Sequence, residues 1–150
     1  MKNKLIAVLS CCIFFVLAPL SQAREISAEE AAENFGGELI GGNVIEVFPL
    51  ALSNFAGFDS LLVVSNFSQA FGNFQVCGLP VGGTSFVCRG DSYAPLESKF
   101  IELPTVGITN NFGQIQVRSI GGTFGGAGLL LFSNTGAGLT YVPPTEFTVQ

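Results

Sequence analysis

Gly113-Gln114-Ile115-Gln116-Val117-Arg118-Ser119-Ile120 alternates polar and apolar side chains without a break from Gln114 to Arg118. Successive side chains of a β-strand point to opposite faces, so this stretch predicts a strand that buries Ile115 and Val117 and wets Gln114, Gln116 and Arg118. Short apolar segments recur on both sides of it, separated by clusters of Gly, Asn, Pro and Ser. Their spacing predicts strands near 44–50, 60–65, 73–78, 85–89, 99–103, 113–120, 128–133 and 138–142, with a further segment at 146–149. No periodic helical stretch lies between them, which argues against βαβ crossovers and a parallel sheet. The expected fold is all-β, an antiparallel Ig-like β-sandwich of about 7–9 short strands. A closed barrel is the alternative, because periodicity does not say whether a sheet shuts.

Residues 1–23, MKNKLIAVLSCCIFFVLAPLSQA, resemble a secretory signal peptide: Lys2 and Lys4 precede an apolar stretch, Pro19 breaks it, and Ser21-Gln22-Ala23 forms a small-x-small cleavage site. The apolar stretch is shorter than the roughly 20 residues a helix needs to cross a bilayer, which weighs against a retained anchor. Val8-Leu9-Ser10-Cys11 loosely resembles a lipobox, but only a short apolar stretch precedes Cys11. Cleavage after Ala23 leaves Arg24, Arg89, Lys99 and Arg118 as the bases against all 11 acids. The mature protein is therefore expected to be acidic, secreted or periplasmic or at the cell surface, and without an integral membrane span. Residues 24–40 read as a short helix or flexible lead-in, with Ser27-Ala28-Glu29-Glu30 as a capping box and Gly36-Gly37 as its stop. Residues 41–150 form the sandwich domain.

Composition excludes much chemistry. The chain has 150 residues and no His, so no Ser-His-Asp triad, Cys-His pair or imidazole zinc site can be built. A formal net charge of -5 disfavours nucleic acid as a partner, since phosphate backbones are bound by clustered Lys and Arg. Gly121-Gly122-Thr123-Phe124-Gly125-Gly126-Ala127-Gly128 lacks the Lys-Ser/Thr ending and following helix of a phosphate loop and reads as a hairpin connection or glycine bulges. No EF-hand spacing appears, and neither a metal nor a cofactor is expected. Lys99, Asp59, Asp91, Glu97, Glu102 and Glu146 are what remains for catalysis, and a small carboxylate-dependent hydrolase is the weakest of the functional readings. Asn66-Phe67-Ser68 fits a glycosylation sequon but reads as a strand-end turn.

The remaining cysteines allow a sharper inference. If Gly82-Gly83 are the central residues of a tight hairpin, counting outward puts Cys77 directly opposite Cys88. In an exported chain that predicts a structural disulfide, although a two-residue turn makes the two a hydrogen-bonded pair with Cα atoms about 5.5 Å apart, not the easiest setting for one. In the same register Pro80 points its nitrogen away from the partner strand, which implies an exposed edge. Arg89-Gly90-Asp91-Ser92 follows; it reads as a chain reversal, and in an exported protein Arg89, Gly90 and Asp91 also resemble the short integrin-recognition motif.

Leu61-Leu62-Val63-Val64 and Leu129-Leu130-Leu131-Phe132 send apolar side chains to both faces of their strands. Either the N-terminal segment and loops cover their outer faces, the favoured expectation, or those faces meet another subunit. The function expected on this basis is non-catalytic: a secreted protein of a surface or extracellular assembly, by self-association or with an extracellular protein partner. A protein- or glycan-recognition module, with Arg89 and Asp91 as candidate contacts, is the alternative.

Overall fold

The computed structural model describes residues 23–35, 43–135 and 138–150. Apart from Ala23, the expected signal segment lies outside the described residues, as does the expected helix stop at Gly36-Gly37. The elements in chain order are β1 (Arg24–Ile26), α1 (Ala28–Phe35), β2 (Val44–Ser53), β3 (Phe58–Asn66), β4 (Gly72–Pro80), β5 (Val87–Tyr93), β6 (Ser98–Ile101), a 3-10 turn (Leu103–Val106), β7 (Asn111–Ile120), β8 (Gly125–Ser133), β9 (Leu139–Val142) and β10 (Thr145–Val149). Ser27 caps α1, its Oγ accepting the Glu30 N–H at 3.1 Å. The Glu30 carboxylate turns to Arg24 at 2.6 Å instead of completing the capping box.

Two sheets result. The six-stranded sheet runs β1-β10-β2-β7-β4-β5 and the four-stranded sheet β6-β3-β8-β9. Every pairing is antiparallel except β1 with β10. No strand belongs to both sheets, so the architecture is the expected sandwich and not a closed barrel. The three-residue β1 ahead of the helix was not expected. It is too short to show a period, and its ladder comes from the far end of the chain at β10. β2 is irregular between Phe48 and Ala51, where Pro49 has no N–H to give a ladder; the bend keeps both Phe48 and Ala51 buried.

The core lies between the sheets. Phe48, Leu62, Val64, Phe74, Val76, Ile115, Val117 and Leu129 meet there, closed at one side by Leu103, Val106 and Ile108 around the 3-10 turn. Gly78 lets that turn approach, since a Cβ at this position would stand 2.2 Å from the Val106 carbonyl oxygen. Tyr93 packs edge-on against Phe74 with ring centroids 5.0 Å apart, and burial of its phenol pushes the pKa up to about 12.

The face of β7 predicted to be wet is dry. Gln116 and Arg118 are 1% and 4% exposed, because β1 and α1 fold over the outer side of the six-stranded sheet. Ile26, Ala31, Ile45, Val47 and Val149 form a second apolar cluster there, with Ala28, Phe35 and Phe147 packed against it. The Arg118 guanidinium donates to the Phe35 carbonyl oxygen at the end of α1, to Gln116 Oε1 at 2.7 Å and to Gln75 Oε1 at 3.3 Å. A cation at a helix C-terminus meets the negative end of its dipole and one of its unpaired carbonyls together.

Cys77 stands opposite Cys88 and the two are joined. The whole β4–β5 ladder keeps the register counted from Gly82-Gly83, although the strands are linked by residues 81–86 and not by two residues. The Cα separation of 4.0 Å is that of the closely spaced, non-hydrogen-bonded pair type, so the difficulty of a wide pair does not arise. Asn66, the sequon residue, is 1% exposed, and its Nδ2 donates to the Ala70 and Ala94 carbonyls at 2.8 and 3.0 Å; it is a turn-holding side chain.

Replacing both Cys77 and Cys88 by Ala is expected to reduce stability by about 2–3 kcal/mol through the lost constraint on the unfolded chain, with the fold retained. Urea unfolding of the two proteins measures this, and coincident midpoints would show that the bond does not constrain the chain in solution.

Candidate interaction face

Arg89, Gly90 and Asp91 are not in a turn. They occupy the middle of β5, opposite Val76, Gln75 and Phe74. The letters Arg-Gly-Asp-Ser suit a chain reversal, but the ladder to β4 runs on to Tyr93 and holds them extended. Residues two apart on a strand share a face, and the Arg89 guanidinium donates to Asp91 Oδ2 at 2.7 Å and to Oδ1 at 3.2 Å. The hydrogen bond to Arg89 holds the Asp91 carboxyl below the usual carboxylate range. The reading of these residues as a chain reversal or loop is corrected accordingly: they form an extended strand segment in which cation and carboxylate pair with one another.

Lys99 is likewise occupied. Its ammonium donates to the Ser92 carbonyl at 2.6 Å, lies 4.6 Å from the centre of the Tyr93 ring and is 3.7 Å from Glu97. These contacts tie the edge of one sheet to the edge of the other. Among the described residues no cluster of three or more potential metal ligands occurs.

The outer face of the four-stranded sheet is different in kind. Leu62, Val64 and Leu129 point into the core, so alternation sends Leu61, Val63, Leu130 and Phe132 to the other side. Ladder register aligns them: Phe100 beside Val63, Leu61 beside Leu130 and then Tyr141, and Phe132 beside Leu139. Phe100, Leu139 and Tyr141 are 69%, 67% and 54% exposed. The favoured expectation was that the N-terminal segment and loops cover these strands; β1 and α1 cover the six-stranded sheet instead. Among the described residues no element packs on this face.

Polar groups mark its two ends. At one end a cavity of about 450 Å³ is lined by Asn54, Asp59, Ser60, Glu102, Thr109 and Asn110 together with Leu61, Phe100 and Phe132. Asn54 donates to Asn110 Oδ1 at 2.9 Å, and both residues have left-handed φ, at 45° and 48°. At the other end a groove of about 340 Å³ has Gly126 and Gly128 among its lining, with Val63, Ser65 and Phe67 beside them and Glu46 reaching in.

Glu46 was missed in the sequence. It sits in an apolar run with the parity of Phe48, so its side chain faces the sandwich interior, and that shared parity was the available signal. Glu146 stands directly across the strand pair. Burial pushes the Glu46 carboxyl up to about 7, opposed by the Ala127 N–H that it accepts and reinforced by the charge of Glu146. β8 is free to give that N–H because β9 pairs with it only from Leu129 to Phe132. The other acids considered for catalysis are not brought to this point; Asp59 and Glu102 line the opposite cavity.

No protein-family model and no curated protein matches the chain. A solved structure from Thermotoga maritima, "Crystal Structure of Thermotoga maritima 1070", is similar over 71% of this chain and 95% of its own at 15% identity and a TM-score of 0.49, too remote to bear on function.

Because the folded state holds Glu46 protonated, its contribution to stability is complete below the ordinary pKa of 4.5 and is lost as pH rises through about 7. Glu46→Gln, which keeps a neutral side chain at every pH, is expected to be more stable than the wild type at pH 8 and to lose less stability between pH 5 and 8. Thermal midpoints measured across that range check this; parallel curves for the two proteins would mean that Glu46 is not buried as described.

Proposed function

We propose that this protein is a secreted, non-catalytic subunit of a surface or extracellular assembly, and that it self-associates through the outer face of its four-stranded sheet. The observation that carries the proposal is the row of apolar side chains from Phe100 across Leu61 and Leu130 to Tyr141, uncovered among the described residues. A soluble domain seldom leaves such a sheet face to water unless a partner covers it. The acidic balance of the chain supports the reading, because it keeps the rest of the surface soluble while the uncharged face associates. The Cys77–Cys88 bond is compatible with an oxidising compartment, and no helix among the described residues is long and apolar enough to cross a membrane.

This reading predicts oligomers whose population grows with concentration in sedimentation velocity. Carboxylates introduced together by Phe100→Glu and Tyr141→Glu, both at exposed positions, are expected to leave only monomer with an unchanged far-UV circular dichroism spectrum. A wild type that stays monomeric up to millimolar concentration removes the proposal.

A second reading, recognition of a glycan, is favoured by the cavity of about 450 Å³, where amides, hydroxyls and carboxylates lie beside Phe100 and Phe132 and no basic side chain joins the lining. It predicts saturable oligosaccharide binding that Asp59→Ala weakens at least tenfold, a loss of about 1.4 kcal/mol. Equal affinity in the variant excludes that cavity as the site.

A further inference from the structure

Leu129 points into the core, so the outer face of β8 carries Gly126, Gly128, Leu130 and Phe132 in turn. The two glycines leave a gap in the apolar face, and the groove of about 340 Å³ lies over them. Its rims are aromatic. A Cβ added to Gly126 would stand 3.5 Å from the Phe67 ring, and one added to Gly128 would stand 3.9 Å from the ring of Tyr141. Phe67 is held edge-on against Phe124, with ring centroids 5.8 Å apart.

Glu46 supplies the charge, and no other ionisable side chain joins the lining. It belongs to the six-stranded sheet, yet its Oε1 would be 3.3 Å from a Cβ on the outer side of Gly126. The side chain therefore passes the edge of β8 and delivers its carboxylate to the outer face of the other sheet. That edge is open because β9 pairs with β8 only from Leu129 to Phe132. Ala127 gives its N–H to the carboxylate. In an extended strand the N–H and C=O of one residue point to the same side, so the Ala127 carbonyl is directed at the same opening. Two acceptors, one of them anionic, converge at the end of an apolar slot. The bases of the described residues are engaged elsewhere: Arg24, Arg89 and Lys99 pair with Glu30, Asp91 and Glu97, and Arg118 is taken up beneath α1. The charged group that faces Glu46 is instead Glu146, across the strand pair.

We propose that this groove is a binding site for an ammonium group on a short apolar stem, the chemistry shared by a lysine side chain and a free alkylamine. The ammonium donates to the Glu46 carboxylate and to the Ala127 carbonyl, while the stem lies over Gly126 and Gly128 between the two aromatic rings. A hydrogen bond between ionised partners is roughly twice as strong as a neutral one, so an alcohol of the same length is a poorer ligand. Anions are repelled by Glu46 and Glu146. The site is complete in one copy and does not depend on self-association. Burial and Glu146 hold the free carboxyl protonated up to about 7, so binding below that pH displaces a proton and strengthens as the carboxyl ionises.

The test titrates the full mature chain, with the Cys77–Cys88 bond intact, against n-butylammonium at constant ionic strength, followed by amide NMR. An alcohol, n-butanol, and an Ala-Lys-Ala peptide with blocked ends are titrated in parallel. Butylammonium is expected to bind in about the millimolar range, to shift the Gly126, Ala127 and Gly128 amides, and to bind about tenfold or more tightly at pH 8 than at pH 5. Glu46→Gln is expected to weaken binding by about tenfold and to remove its pH dependence. Gly128→Ala places a methyl in the slot at ordinary contact distance from Tyr141, so it is expected to fold and to weaken binding likewise. Tighter binding of the peptide than of butylammonium assigns the site to the lysine of a partner, and the reverse order to a free amine. Equal affinity for n-butanol, unchanged affinity in either variant, or amide shifts at Asp59 and Glu102 in place of positions 126–128 overturns the proposal.

Discussion

Two stacked sheets share one core but present two outer faces, and among the described residues this chain has a single α-helix with which to cover them. The helix and the short strand before it go to the six-stranded sheet, where Ile26, Ala31 and Phe35 complete a second apolar layer over Ile45, Val47, Phe147 and Val149. Arg118 fixes that choice. Its guanidinium is buried beneath the end of α1 and gives hydrogen bonds to the Phe35 carbonyl, Gln116 and Gln75, and a buried cation is tolerated only where its donors are taken up. That the other sheet is uncovered among the described residues follows from this choice, so the apolar face is a consequence of where the helix lies and not a local accident of β3 and β8.

Much of the fold was legible because each signal was local. Turn residues bracket the strands closely, and the β4–β5 register could be counted from Gly82-Gly83 to the facing cysteines. What escaped was what depends on distant parts of the chain. Gln116 and Arg118 alternate with Ile115 and Val117 in a way that signals a wet face, and only the packing of residues some 80 positions earlier dries it. Arg89-Gly90-Asp91-Ser92 has the composition of a turn, and only the partner strand shows that it is extended. The candidate face was half legible: the doubled apolar runs were visible, but which runs remain uncovered is a statement about topology.

Charge on this protein is used mainly at margins. Lys99, Arg89 and Asp91 secure one side of the sandwich, where β5 and β6 lie as neighbouring edges bridged by Lys99 and Ser92. Arg24 and Glu30 do the same for the N-terminal arm. Arg118 beneath α1 and Glu46 are the exceptions, the latter a carboxyl held near the interior by one backbone N–H where β9 stops short. Of the four strands that end the sheets, β1, β5 and β6 carry charge and β9 carries none.

The order of strands also constrains how the chain reaches this state. β10, residues 145–149, is inserted between β1 and β2, the first two strands of the described residues. Until it arrives, β2 lacks one neighbour and β1 has no ladder at all, since its pairing is with β10 alone. Closure of the six-stranded sheet therefore depends on a segment about 120 residues away from β1 in sequence, with the slow kinetics that non-local strand pairing imposes.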